Sequence, residues 1–196
     1  MYYLRCITLA LILGIVVGAQ AQMNEPDEFV RAKHDRSSSL PIGISFNAIL
    51  NSIELLESDD PEFAMNYVAI KLGVNEDTAK TVKALLLNTH EDIKADIKSA
   101  HRDLACDSGV PKVAGDEAFA VLDQLDDVKE DVLERHLMGL YKQLDPAVAA
   151  ALARWAEENK ENVSYVTYDH KKHLESRGHT AGPAIAGMCI LLEEQS

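Results

Sequence analysis

The run Asp169-His170-Lys171-Lys172-His173, followed by His179 just beyond Gly178, sets three imidazoles close together in the chain. If this segment is helical, His170 and His173 project from one turn, and Asp169 faces His173 at the i,i+4 spacing. Neutral imidazoles so placed could share a divalent metal, with His179 or another helix supplying a third ligand. Against this, Lys171 and Lys172 would oppose a cation, and the spacing matches no metalloenzyme motif. The plainer reading is that His170 packs partly on the core while His173 and His179 are solvated.

A second grouping is acidic: Asp123, Asp126, Asp127, Glu130, Asp131 and Glu134. On a helix, like charges at i,i+4 cost about 0.2–0.5 kcal/mol per pair. A bound cation or a basic partner would offset that cost. Calcium sites, however, usually draw their oxygens from a compact loop with a glycine at the turn, and no EF-hand pattern is present. A solvated face is the expected outcome, relieved by Lys129 and Arg135 and by Lys83, Lys94, Lys98 or Arg102 from the neighbouring helix.

His90, His101 and His136 fall on two long predicted helices and suggest a metal site inside a bundle. Di-iron bundles place Glu three residues before each ligating His, whereas Leu87, Lys98 and Leu133 stand there. There is no His-Glu-x-x-His, Gly-x-Ser-x-Gly, phosphate-binding glycine loop or Cys-x-x-Cys. Asn162-Val163-Ser164 forms a glycosylation acceptor, meaningful in a eukaryotic secretion route.

The elements that would carry these residues are helical. Ile42, Phe46, Ile49, Ile53 and Leu56 lay one apolar stripe along a helix ending near Glu57. Asp60-Pro61-Glu62 starts a second helix, which Gly73 stops. From Asn75, the series Ala79, Val82, Leu86, Ile93, Ile97, Ala100 and Leu104 predicts a long helix reaching almost to Cys106. After a break at Asp107-Ser108-Gly109-Val110-Pro111, Phe119, Leu122, Leu125, Val132, Leu137 and Leu140 predict another from about Asp116. The short connection lets the two pack as a central antiparallel hairpin. Asp145-Pro146 starts a further helix bearing Val148, Leu152 and Trp155, and a last helix is expected from Pro183.

Val163–Tyr168 is rich in β-formers, but a lone strand here would have no partner. Val163, Val166, His170 and Leu174 fit a helix face instead, ending at Gly178. No convincing β-hairpin signal stands out. The expected fold is an all-α, single-domain bundle over residues 42–196, of six to seven helices, preceded by a flexible polar tail over residues 22–41.

The N-terminus pairs Arg5 with an apolar run from Ile7 to Val17 and ends Ala19-Gln20-Ala21. This pattern predicts a secretory signal peptide over residues 1–21 with Gln22 as the mature start. The run is shorter than the ~20 residues that span a bilayer, so no membrane span is expected after its removal. Export to a periplasm or the extracellular space favours pairing of the two remaining cysteines, Cys106 and Cys189, in a disulfide.

Composition bounds the rest. The chain has 196 residues, 47% hydrophobic and 26% charged, with a net charge of −13. The hydrophobic share excludes a disordered chain, and the charge repels nucleic acid and anionic lipid. The leading expectation is an exported, acidic α-helical binding or interaction protein without a catalytic motif or cofactor, whose partner is a basic protein or cationic ligand. The alternatives are a divalent-metal protein or metal-dependent enzyme using His170, His173 and His179, and a carrier of an apolar ligand between helices.

Overall fold

The structure is a computed structural model and describes residues 30–34, 40–163, 165–168 and 170–194. The proposed signal peptide lies outside these residues. Helices begin where the chain supplies its own caps. The Asp60 carboxylate accepts from Phe63 N–H at 3.0 Å, Asn75 from Thr78 at 2.9 Å and Asp145 from Ala147 at 2.9 Å. Each side-chain oxygen satisfies a backbone donor that the first helical turn cannot.

Among the described residues there are seven α-helices. They are α1 (Ile42–Asp59), α2 (Pro61–Leu72), α3 (Glu76–Ala105), α4 (Glu117–Gln143), α5 (Pro146–Asn159), α6 (His170–Ser176) and α7 (Ala181–Glu194). A 3-10 turn, Lys160–Asn162, follows α5. Gly73, at φ 66°, ends α2 in the left-handed conformation that glycine adopts without a Cβ clash. The fold is the expected all-α bundle. The long helices α3 and α4 run antiparallel, since Asp96 meets Arg135 and His136 while His101, further along α3, meets the Leu125 carbonyl, further back on α4.

The apolar stripes meet in two clusters. The larger joins α1, α2, α5, the first part of α3 and the second part of α4 around Phe46, Ile49, Leu86, Leu133, Leu137 and Leu152. Tyr67 and Trp155 meet edge to face within it, their centroids 5.4 Å apart. Gly43 permits α1 to cross α4 closely, because a Cβ there would lie 3.0 Å from Leu133 Cβ and 3.2 Å from Glu134 N. The smaller cluster, containing Phe119, Leu125, Ala181 and Ile185, lies at the other end of the hairpin. There the Cys106–Cys189 disulfide ties the end of α3 to α7, with Cα atoms 5.6 Å apart.

Two local expectations are corrected. Residues 163–178 are not one helix. Tyr165–Tyr168 is a strand, β4, antiparallel to β1 (Val30–His34), with His34 opposite Tyr165 and Val30 opposite Tyr168. The partner comes from the segment expected to be a flexible tail, so the ladder satisfies backbone groups that a lone strand would leave open. The helix expected there is reduced to α6.

The break after α3 also contains a hairpin, β2 (Cys106–Asp107) with β3 (Val110–Pro111). Ser108 at φ 49° and Gly109 at φ 76° form its two-residue turn. Positive φ at both central positions belongs to the type I′ turn, whose twist suits paired strands. A Cβ at Gly109 would meet only the carboxylate of Glu193 on α7, the movable end of an exposed side chain, so the left-handed φ is what favours glycine there.

Candidate functional site

The three histidines proposed as metal ligands lie on α6 and just beyond it. His170, at the start of α6, directs Nε2 to Asp126 Oδ2 on α4 at 3.2 Å, an ion-pair contact when the ring is protonated. His173 is half-buried one turn later, and His179 is exposed beyond Gly178. Asp169 lies outside the described residues. Among the described residues no group of three or more His, Cys, Asp or Glu is gathered as metal ligands would be. His170 thus joins α6 to α4.

Around the acidic face of α4, two of the lysines expected beside it have other partners. Lys83 pairs with Glu57, and Lys94 with Glu54 and Glu91. These two of the four lysines on α3 are thus committed toward α1 or their own helix, not to α4. Arg135, one of the cations that α4 itself carries, reaches Asp96 on α3 at 3.3 Å. Asp127, Asp131 and Glu134 are exposed, and with Glu130 they make no ion pair among the described residues.

A third feature was not singled out from the sequence. An open trough of about 610 Å³ runs along α3 between α1 and α7. Ile93, Ile97 and Leu192 give it an apolar lining, Asn47 and Asn51 its amide wall, and Lys94 and Lys98 its ammonium groups. His90 and His101 also line it, about 16 Å apart along the helix axis at 1.5 Å per residue. Their signal in the sequence is a polar interruption of the α3 stripe, because His90 fills the step between Leu86 and Ile93, and His101 the step after Ile97.

His90 is only 2% exposed, and its Nδ1 lies 3.6 Å from Glu54 Oε2, too far for a hydrogen bond. Burial, aided by the Lys94 charge, lowers its pKa against the opposing pull of Glu54 and Glu91. Burial likewise lowers the pKa of His101, with Lys129 acting in the same sense and the Leu125 carbonyl and Asp126 opposing. Both rings therefore resist protonation in the folded chain.

In the unfolded chain the rings take up protons near the ordinary imidazole value of about 6.5. Protons thus favour unfolding over this pair. The stability the two rings confer is complete above that pH and is lost as pH falls through it toward the lowered folded values. Urea melts should give a midpoint that is steady above neutrality and declines on acidification, the decline shrinking in a His90→Gln, His101→Gln variant. A wild-type midpoint that holds or rises on mild acidification would refute the assignment.

Comparison with protein-family models, with curated proteins and with solved structures finds no match to this chain.

Proposed function

We propose that this chain is an exported α-helical binding protein that recognises a basic partner with the acidic face of α4. The observation carrying this reading is that Asp127, Glu130, Asp131 and Glu134 make no ion pair among the described residues. The chain retains their mutual repulsion, which a basic surface would relieve on docking. The net charge of −13 steers cationic partners toward the molecule from a distance. Export is supported by the signal-like residues 1–21 and by the Cys106–Cys189 disulfide. No helix among the described residues is long and apolar enough to cross a membrane.

A lysine-rich polypeptide is the probe for this reading. Binding should weaken as salt is raised. In the Asp127→Asn, Asp131→Asn, Glu134→Gln variant it should weaken roughly tenfold, the sum of three exposed pairs at about 0.5 kcal/mol each. The same variant should be as stable as the parent or up to about 1 kcal/mol more stable, because repulsion has been removed. Equal binding by variant and parent, or binding indifferent to salt, would sink the reading.

A further inference from the structure

We infer that the outward face of α7 is an interface between two copies of this chain, their α7 helices crossing antiparallel at Gly187. The inference uses other residues than the acidic face of α4 and would survive the failure of that reading.

From Ala181 to Leu192 the helix has no charged side chain. Ala181, Ile185 and Cys189 turn inward to the smaller apolar cluster. A surface helix normally turns polar residues to water on its other side. Here that side is Pro183, Ala184, Gly187, Ile190 and Leu191, all exposed, with Ile190 at 54% and Leu191 at 58%. The strand β3, which packs on α7, adds Val110 at 62% exposure. Large apolar side chains grouped in this way mark a surface that is covered in use, unlike single ones scattered over a molecule. Gly187 points the same way. Glycine weakens a helix interior, and neither a positive φ nor crowding calls for it here, since a Cβ would meet nothing within 4 Å.

The chain supplies no cover of its own. Residues 22–29 and 35–39 are polar in sequence, with Met23 and Phe29 their only large apolar members. A second copy supplies a matching face, and two-fold pairing is the commonest closed arrangement. On a helix of about 3.6 residues per turn, an antiparallel pair with its axis at Gly187 sets Ile190 of each copy against Pro183 of the other, and Leu191 against Ala184. Each large side chain then meets a smaller one, and the two glycines let the backbones approach at the crossing. The charges favour the same direction. Exposed Arg177 stands just before α7 and exposed Glu193 in its last turn, so antiparallel order brings the basic end of each helix to the acidic end of the other. The helix dipoles add in the same sense. The net charge of −13 on each copy opposes approach, but physiological salt screens that repulsion beyond about 8 Å. One helix face is narrower than the ~800 Å² per partner of a standard interface, so the dimer is weak, with a dissociation constant of roughly 10–100 μM.

The test is sedimentation equilibrium of the intact exported chain at physiological salt, from about 1 μM to about 1 mM, over which the mass should double. Leu191→Glu, which buries a charge without a partner, should weaken the dimer by about tenfold or more. Gly187→Leu separates a close crossing from general stickiness. It adds apolar surface in open space, so the monomer should keep its unfolding midpoint, yet it holds the helices apart and should weaken the dimer by about tenfold or more. Leu55→Ala, at an exposed leucine of α1, should leave the dimer unchanged. A wild-type chain that stays monomeric over the whole range would overturn the proposal without need of any variant. So would a dimer indifferent to Leu191→Glu, or one tightened by Gly187→Leu. Co-sedimentation with phosphatidylcholine vesicles, by a chain that is monomeric without them, would give the face to lipid and equally overturn the proposal.

Discussion

Reduction of the Cys106–Cys189 bridge should lower the unfolding free energy by about 4–5 kcal/mol on the chain-entropy account. The half-cystines stand 83 residues apart, so the closed loop contains α4, α5 and α6. Opening it restores a large conformational freedom to the unfolded chain and removes the covalent hold on α7. What still holds α7 is the smaller apolar cluster, together with the hydrogen bond from Arg102 to the Leu192 carbonyl at 3.1 Å. Urea melts of the oxidised and reduced protein give the midpoint change, and amide exchange should report early opening of α7 while α1 stays protected. Cys106→Ala, Cys189→Ala should behave as the reduced chain, with a further small loss from packing. An unchanged midpoint on reduction would mean that the bridge constrains nothing.

Phe46→Ala should cost about 3–5 kcal/mol, the range for removing a large aromatic side chain from a packed interior. Phe46 is 0% exposed and belongs to the cluster where α1 meets α4 and α5. Ser45 beside it donates its hydroxyl to the Ala156 carbonyl, and Asn159 Nδ2 donates to the Ser45 carbonyl at 3.3 Å. These bonds fix α1 against α5 and limit collapse around the hole left by the ring. The control is Leu55→Ala at a residue 65% exposed on the same helix, where the loss should stay within about 0.5 kcal/mol. Equilibrium denaturation checks both, and similar losses at the two sites would contradict the assigned core.

How much of the candidate chemistry was legible follows from its range along the chain. The His170/His173 spacing is local and readable, but whether the imidazoles converge depends on where α6 docks. It docks so that His170 meets Asp126, 44 residues away. The acidic run was equally plain, but two of the lysines expected beside it turn elsewhere. Lys83 and Lys94 lie on the helix expected to supply the compensating charge, and they pair with Glu57 and Glu54 of α1. Helical periodicity gives the angle at which a side chain leaves its own helix, not which of two neighbouring helices it reaches.

Residue by residue, the sequence determined what local physical chemistry decides. Asp60-Pro61, Asn75 and Asp145-Pro146 start helices because their side chains cap neighbouring N–H groups or their fixed φ suits the first turn. Stripes such as Ile42–Phe46–Ile49–Ile53 identified the buried faces, and the hydrophobic effect needs no knowledge of which apolar surface meets which. Tertiary structure alone decided the rest. Tyr165–Tyr168 is a strand because Val30–His34 lies beside it, over a hundred residues earlier in the chain. Ser108-Gly109 is a hairpin turn within a segment that reads as a simple break. The trough exists because Asn47, His101 and Leu192 come from three helices. A strand's hydrogen bonds and a binding site's walls are satisfied across space, so their partners cannot be read from the spacing of neighbours.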